Sequence, residues 1–342
     1  MKTFFRRFLY FGYYIKKLDY PKFKSQLKKA KEDSKKSTLS IYSDILKSSF
    51  KYNISILEYF YFLFHLHPEH EYRNTYAGTG FMYDQITILN PKAGRDILED
   101  KIIFLKHYAK FVKHGYVSLK ELNENKSSSE KILSNKSGKI VLKNSFGQCG
   151  IGVEVRNSNE FTHESLIARL TETGNDFVEE YVVQHDDLMK LSPSGLNTIR
   201  IITELNDNGK VDILGCRLRI SINSQVDNMA AGNIAAPIDP ETGIVNGPGV
   251  YSDILKHDEE IHPVTNVKIV GFQVPFWKET LNTAIEAAKI SQTNRSIGWD
   301  LAVTNNGPEL IEGNHDWCKL VWQLPIKKGM KQVLQKYTEQ KI

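Results

Sequence analysis

The chain has 342 residues, of which 41% are hydrophobic and 25% charged, and its net charge at neutral pH is +5. This length and composition predict a soluble enzyme of two or three domains with a large buried core. No apolar stretch reaches the roughly eighteen residues of a transmembrane helix. Three distant cysteines exclude a disulfide framework and a zinc site, and they fit a reducing cytoplasm.

Residues 1–36 are basic and follow a helical pattern. They hold twelve lysines and arginines against three acids, a net charge of +9. Their apolar side chains recur at helical spacing in one stripe: Phe4, Phe8, Phe11, Ile15 and Leu18. Such a helix can lie on an anionic membrane surface, or it can dock its stripe on its own domain. Nucleic-acid binding is a third option, but no recognisable module accompanies the basic patch.

The remaining elements predict an α+β chain with a mainly helical region over residues 1–95. That region includes a buried apolar helix over 54–66, and a further helix is predicted over 97–114. A polar connector leads to a small α/β unit over 139–183. The elements predicted beyond it are a hairpin of strands 198–205 and 211–222, a strand over 233–239, and a helix marked by Trp277, Leu281, Ile285 and Ala288.

A lysine-bearing strand precedes a glycine-rich loop. The strand ends at Lys143, and the loop carries Gly147, Gly150 and Gly152. The backbone N–H groups of such a loop can surround phosphate oxygens, and a lysine on the strand supplies a point charge. Three glycines alone are a weak signal, because ordinary hairpin loops also use them.

Three arginines lie on the predicted hairpin: Arg200, Arg217 and Arg219. Arg217 and Arg219 share a face by the two-residue period of a strand, so they can bind a carboxylate or a developing oxyanion. Surface ion pairing is the alternative, and Arg219 is the favoured catalytic arginine. Farther along, Asn228 and Asn233 can hold substrate or metal-bound phosphate.

Two apolar runs near the C-terminus carry Asp300, Glu312 and Asn314 on either side of a turn at 305–307. The turn predicts a β-hairpin. A three-residue loop would place Asp300 opposite Glu312, with Asn314 on the same face as Glu312. Two carboxylates and an amide oxygen on one buried face suit Mg²⁺ with phosphate as co-ligand. A solvated surface hairpin is the alternative. His315 follows, and it can touch substrate or cap the strand end.

These motifs, in this order, resemble the ATP-grasp ligases, and they resemble most the sugar-transfer-associated branch found with bacterial polysaccharide biosynthesis. The resemblance runs over about residues 50–325. It is carried by the lysine strand, the glycine loop, the hinge Phe177-Val-Glu-Glu-Tyr-Val182 and the metal hairpin. Branch-like segments add to it at 89–92, 100–104, 183–185, 197–201, 227–233 and 311–317.

The resemblance implies an ATP-grasp fold, in which two α/β subdomains grip ATP. It divides the chain into a helical region at 1–95, a lid subdomain at 96–185, and a subdomain at 186–342 that contains the metal hairpin. By the same match Lys101 reaches the phosphates, Glu179 or Glu180 accepts a hydrogen bond from the adenine amine, and Val182 offers its N–H to the ring. Asp186 corresponds to an acid that binds ribose.

In similar enzymes ATP phosphorylates a carboxylate, and an amine attacks the resulting acyl phosphate. The resemblance therefore implies ATP and Mg²⁺, or Mn²⁺ in its place, as cofactors. It implies a carboxylate and an amine as substrates, with an amino acid and a sugar or glycan precursor as the expected pair. The expected location is the cytoplasm, at the inner membrane face if residues 1–36 bind lipid. An ATP-grasp kinase and a nucleotide-binding scaffold are the alternatives.

Overall fold

The computed structural model describes residues 2–147, 150 and 152–339, and of residues 2–4 it describes the backbone alone. The α-helices are α1 (Lys2–Lys16), α2 (Tyr20–Ser34), α3 (Thr38–Tyr52), α4 (Glu58–Tyr61), α5 (His70–Asn74), α6 (Thr79–Leu89), α7 (Asp96–Glu99), α8 (Lys101–His107), α9 (Leu119–Glu124), α10 (Lys126–Leu133), α11 (His163–Thr173), α12 (Asp186–Leu191), α13 (Trp277–Ala288), α14 (Lys319–Gln323) and α15 (Lys331–Gln335).

The β-strands are β1 (Tyr116–Ser118), β2 (Lys139–Lys143), β3 (Glu154–Asn157), β4 (Phe177–Glu180), β5 (Ile199–Leu205), β6 (Val211–Ile220), β7 (Ile234–Ile238), β8 (Ser296–Thr304) and β9 (Gly307–Asn314). They form two sheets, so the predicted α+β class is confirmed. Within the described ranges, the search for a helix long and apolar enough to cross a bilayer found none.

The N-terminal region is mainly helical, as predicted. Helix α3 begins behind Ser37, whose hydroxyl accepts a hydrogen bond from the Ser40 amide at 3.2 Å. The helix predicted over 54–66 is wrong beyond one turn. Only α4 is helical there, and Leu63 has a left-handed φ of 54°, which an α-helix does not contain. Most of the aromatic side chains of this run are nevertheless buried.

The predicted apolar stripe, which runs past the end of α1 to Leu18, does not keep to one face. Phe11 and Leu18 pack against the N-terminal core. Phe8 and Ile15 point away from it and are 59% and 55% exposed. The side chain of Phe4 lies outside the described residues. The prediction that the stripe docks on its own domain therefore holds for Phe11 and Leu18. It does not hold for Phe8 and Ile15, which face outward.

The helix predicted over 97–114 is interrupted at Asp100. The Asp100 carboxylate accepts hydrogen bonds from the Ile102 and Ile103 amides at 2.8 and 3.1 Å, so it caps a new helix, α8. Asp100 ends α7 at the same point. The break places Lys101 in the first turn of α8, where the chain approaches the glycine loop: the Lys101 amide donates to the Ser145 carbonyl at 3.0 Å.

The smaller sheet has the strand order β1-β4-β2-β3 and is antiparallel. Its alternate side chains Ile140 and Leu142 pack with Val178 under α9, α10 and α11. Because strand residues alternate between faces, Lys143 and Glu179 project from the opposite face. The helices thus cover one face of this sheet and leave the other to line a cavity.

The larger sheet has the order β7-β6-β5-β8-β9, also antiparallel. One face carries Ile199, Trp299 and Leu301 into the main core, where α13 covers it. Phe104 of α8 belongs to the same core. The helices at 96–107 therefore pack on the larger sheet, and we propose that the lid is the smaller unit at 116–182 rather than 96–185.

Candidate functional site

A cavity of about 380 Å³ lies between the two sheets and is lined by side chains from both. The smaller sheet contributes Lys143 and Glu179, and the larger sheet contributes Asp300 and Glu312. Lys101 enters from the first turn of α8. The two halves of the motif set, separated by more than a hundred residues of sequence, thus meet around one space.

The β8–β9 hairpin sets Asp300 opposite Glu312, as predicted, but by a different path. The predicted three-residue loop is wrong: Thr304 pairs with Gly307, which leaves a two-residue turn. A bulge then shifts the register between Asp300 and Leu301, so Leu301 faces Leu310 while Asp300 faces Glu312. The extra residue turns Leu310 to the core and Glu312 to the cavity.

Both oxygens of Asp300 are engaged by arginines. Arg200 approaches it in bidentate fashion, with Nε–Oδ1 and Nη2–Oδ2 distances of 2.6 and 2.7 Å, and Arg219 Nη1 lies 2.7 Å from Oδ2. Burial opposes the charged form, but the two arginines hold the pKa of Asp300 below its usual range. Its observed contacts hold two arginines in place, and its role as a metal ligand stays a prediction.

Glu312 and Asn314 suit a cation better than Asp300 does. Burial raises the pKa of Glu312, although Lys101, whose Nζ is 4.0 Å from Oε1, opposes the rise. Asn314 donates its amide N–H to the Gly298 carbonyl at 3.4 Å, which leaves its side-chain oxygen for the cavity. These oxygens fit Mg²⁺ with phosphate co-ligands. Among the described residues no three histidine, cysteine or acidic side chains group into a metal site.

The arginine network continues to a residue that the sequence did not single out as a site residue. Asp227 lies 2.7 Å from Arg219 Nη2, and it accepts hydrogen bonds from the Thr198 amide and hydroxyl at 2.8 and 2.5 Å. Arg219 is therefore held between two carboxylates, Asp300 and Asp227. Burial alone would lower its pKa, but these charges raise it, so it stays a cation at the cavity wall.

The structure does not bring Arg217 to the cavity. It shares a face with Arg219 as predicted, but its guanidinium donates to the carbonyls of Cys216, at 2.8 Å, and Trp322, at 2.5 Å. Burial lowers its pKa to about 10. Because Trp322 lies on α14, which covers this part of the sheet, Arg217 ties the helix to β6 and does not face the cavity.

A buried histidine joins the lid to the larger sheet, and sequence reasoning missed it. His114 Nδ1 is 2.7 Å from Glu309, and His114 Nε2 is 3.5 Å from Glu179, which also pairs with Lys143. Burial alone would lower the histidine's pKa, but the two carboxylates raise it to about 9. No local motif marks His114. Only the pairing of β1 with β4 brings it to Glu179.

The two candidate adenine acceptors differ in their surroundings. Burial opposes ionisation of Glu179, but Lys143 and His114 lower its pKa to about 2. Glu180 is half-buried and accepts a hydrogen bond from the Gly115 amide at 3.0 Å. Both line the cavity, as does Val182, whose amide donates to no acceptor among the described residues. Within the described residues, the hinge therefore has one backbone N–H without an acceptor, that of Val182, beside two carboxylates.

The glycine loop approaches the cavity from the lid. The Gly147 carbonyl accepts a hydrogen bond from the Lys101 ammonium. Gly150 has a φ of +74°, and a Cβ there would lie 2.8 Å from Val226 Cγ1, so a side chain would collide with the facing loop. Gly152 lies outside the cavity lining. Residues 148, 149 and 151 of the loop are outside the described ranges.

Of four further predicted residues, two line the cavity, one braces a neighbouring loop and one lies outside the lining. Asn228 and His315 line the cavity, and His315 Nε2 is 3.0 Å from Glu99. Asn233 is a brace: it accepts from the Ile222 amide at 2.7 Å and donates to the carbonyls of the 226–228 loop. Asp186 lies outside the lining, where it accepts a hydrogen bond from Asn305 at 3.1 Å.

Comparison with known proteins bears on this geometry. The model of the family described as sugar-transfer associated ATP-grasp matches residues 82–339. No curated protein matches the chain.

Solved structures with remote likeness include the biotin carboxylase domain of Hydrogenobacter thermophilus 2-oxoglutarate carboxylase, with 15% identity over 68% of this chain and 46% of that chain and a TM-score of 0.39. Campylobacter jejuni biotin carboxylase has 15% identity, coverages of 73% and 49%, and a TM-score of 0.41. Bacillus anthracis D-alanine–D-alanine ligase has 12% identity, coverages of 75% and 76%, and a TM-score of 0.39.

The chain spans about half the length of the two carboxylases. These likenesses are too remote to add weight, so the assignment rests on the family match, which covers most of the chain. The order of the motifs around one cavity agrees with it. The chain belongs to the sugar-transfer-associated ATP-grasp family.

Proposed function

We propose that the protein is an ATP-dependent ligase that joins a carboxylate to an amine through an acyl phosphate and releases ADP. The observation that carries the proposal is the arrangement of charge around one cavity. Lys101 and Lys143 stand near Glu312 and Asn314, with the Arg200–Asp300–Arg219 network beside them. Such a site favours a polyanion next to a second anionic ligand.

In this proposal the hinge binds the adenine ring and the lysines bind the phosphates. Val182 offers its N–H to the ring edge, and Glu180 is the more available acceptor for the exocyclic amine because Glu179 already pairs with Lys143. Lys143 lines the cavity, is 19% exposed and pairs with Glu179. In this proposal the phosphates become a second anionic partner of its ammonium when ATP binds. Phosphoryl transfer depends mainly on such positioning and charge.

Glu312 and Asn314 would hold Mg²⁺, which supplies positive charge to the transferring phosphoryl group. Arg219 faces the same space and is oriented by two carboxylates. Its fixed direction suits it to hold the acceptor carboxylate and then the oxyanion of the tetrahedral intermediate. In this proposal the lid, whose Gly150 lies close to Val226, would exclude water that hydrolyses an acyl phosphate.

The family's description as associated with sugar transfer supports a sugar or glycan precursor as one substrate. We propose an amino acid and a sugar or glycan precursor as the amine and carboxylate pair, used in the cytoplasm for a bacterial surface polysaccharide.

The test uses the purified full-length chain with Mg²⁺ and ATP. ADP release is measured against a panel of uronic acids, acylated amino sugars and amino acids, singly and in pairs. With the correct carboxylate alone, hydroxylamine should trap a hydroxamate in step with ADP. Accumulation of a stable phosphorylated sugar with no acyl transfer would refute the ligase and indicate a kinase.

A further inference from the structure

Two carboxylates hold Arg219, and their hydrogen bonds differ. Asp300 accepts from arginines on both oxygens, from Arg200 and from Arg219. Asp227 accepts two hydrogen bonds from Thr198 on Oδ2, and its Oδ1 lies 2.7 Å from Arg219 Nη2. A carboxylate oxygen has two lone pairs. No second donor reaches Asp227 Oδ1 from the described part of the chain, so this oxygen can accept one more hydrogen bond.

The two carboxylates also differ in how readily they take a proton. The charged groups that face Asp227 are Arg219 of β6 and Asp300 of β8. Burial raises the pKa of Asp227, Arg219 opposes this rise, and Asp300 adds to it. Burial acts on Asp300 in the same direction, but its two arginines hold its pKa below its usual range. Asp227 is therefore the better proton acceptor of the two.

Asp227 lies at the end of the site that is remote from the candidate phosphate ligands. It is buried in the loop between β6 and β7, and it lines the cavity between the two sheets. Glu312 and Asn314 lie on β9, three strands away from β6 in the larger sheet. With phosphate near β9 and the acceptor carbon held by Arg219, the side away from the phosphate is open to a nucleophile beside Asp227.

The second step of the proposed reaction needs a proton acceptor at this point. An alkyl amine is an ammonium ion near neutral pH, and it has no lone pair until it loses one proton. The freed electron pair forms the C–N bond, the C–O bond to phosphate breaks, and the phosphate leaves with that bond's electron pair. The nitrogen gives its second proton to the departing phosphate. The products are the amide, hydrogen phosphate and one protonated acid of the enzyme.

We propose that Asp227 binds the amine substrate as an ammonium ion through Oδ1 and takes its first proton. Arg219 stabilises the oxyanion that forms on the acceptor carbon, so one guanidinium aligns the acceptor with the base. Asp227 is then a catalytic residue as well as a support of Arg219. The inference rests on the function proposed above, and it specifies a cationic amine as the second substrate.

The test compares two kinds of nucleophile on the full-length protein, with ATP, Mg²⁺ and the carboxylate of the panel that gives a hydroxamate. Ammonium chloride and glycine are cationic between about pH 7 and 8.5, whereas hydroxylamine is largely neutral there. With subsaturating amine, wild-type amide formation should be nearly constant over this range, because the ammonium ion is the substrate. In Asp227→Asn only the free amine reacts, so the rate should rise about tenfold per pH unit.

The size of the loss separates a base from a support. At about pH 7, Asp227→Asn should slow amide formation about 100-fold and hydroxamate formation less than about tenfold, because hydroxylamine needs no base. A residue that only positions Arg219 would slow both reactions equally and leave the pH slope unchanged. Asp258→Asn changes an exposed aspartate outside the cavity lining and should match the wild type.

Thermal unfolding checks that each variant is folded. If Asp227→Asn unfolds, the wild-type pH profile still decides: a tenfold rise per pH unit in the wild type would show that free amine is the substrate and would overturn the inference. If Asp316→Asn, at an exposed acid that also lines the cavity, shows the steep pH slope instead, Asp316 is the base.

Failure of this inference differs from failure of the proposed function. If no carboxylate of the panel gives a hydroxamate with the wild type, the proposed function fails and the role of Asp227 fails with it. Hydroxamate without any amide from ammonia or glycine would overturn only the inference, because no ammonium ion would then be activated. Equal losses of amide and hydroxamate in Asp227→Asn would leave Asp227 as a support of Arg219 alone.

Discussion

The change His114→Gln should remove a pH-dependent part of the stability. The pKa of His114 rises from 6.5 to about 9 on folding, because Glu179 and Glu309 hold its charged form against the effect of burial. Each unit corresponds to about 1.4 kcal/mol, so the linked stabilisation is about 3 kcal/mol. Because the folded-state pKa is the higher one, this stabilisation is fully present below pH 6.5 and is lost as the pH rises through about 9.

The assay is urea unfolding of wild type and variant at about pH 6, 8 and 10. The difference in free energy of unfolding should be largest at the lowest pH and should shrink toward the highest. Glu179 has a pKa of about 2, so it stays charged throughout and does not confuse the trend. His257→Gln, at an exposed histidine, is the control and should follow the wild type. A difference that is constant with pH would refute the reasoning.

Three further predictions concern the cavity and its support. Glu312→Gln should abolish most ADP release in a coupled assay with little change in melting temperature, because only a ligand charge is lost; full activity would contradict the assignment. Lys143→Ala should weaken ATP binding more than adenosine binding in calorimetry, because its contribution is charge on phosphate, and equal losses would indicate a structural lysine. Arg217→Met should lower the melting temperature while leaving the KM for ATP unchanged, since Arg217 binds carbonyls outside the cavity; a raised KM would return it to the site.

Local patterns were sufficient wherever the determining contacts are near in sequence. The hairpin of β5 and β6 follows from its turn at 206–209, and α13 follows from its amphipathic period. The same reasoning failed at Asp100, where a capping carboxylate outweighed a continuous apolar period and started a new helix. It also failed at Leu63, where packing of a crowded aromatic run took precedence over helix propensity.

The β8–β9 hairpin has the predicted pairing of Asp300 with Glu312, although neither its two-residue turn nor its β-bulge was predicted. The sequence around 305–307 suggested a three-residue loop, and the structure has two residues there. The β-bulge adds one residue to β9 between Leu310 and Glu312. This extra residue offsets the one missing from the turn, so Glu312 still pairs with Asp300. Its signal is visible afterwards: Leu310 and Ile311 are adjacent apolar residues in a strand that otherwise alternates, and such a break in period is where a bulge fits.

The arginine network could not be predicted, because it depends on which strand lies beside which. Asp300 meets Arg200 because β8 pairs with β5, a contact between residues a hundred positions apart. No hairpin or spacing rule specifies that pairing, whereas the period-two rule did place Arg217 and Arg219 on one face. The two arginines differ because different groups cover that face. Arg217 donates to the Trp322 carbonyl, whereas Arg219 pairs with Asp227 and lines the cavity.

The same dependence on topology explains why two residues that orient the site were not predicted as site residues. His114 and Asp227 each hold a predicted residue in place, Glu179 in one case and Arg219 in the other. Sequence motifs record the groups that contact ligands, because their chemistry restricts residue type. The groups that orient them need only a charge at the right point in space, and this point is fixed by strand order. Altering such a residue should therefore change the pH dependence and precision of the site before it abolishes ligand binding.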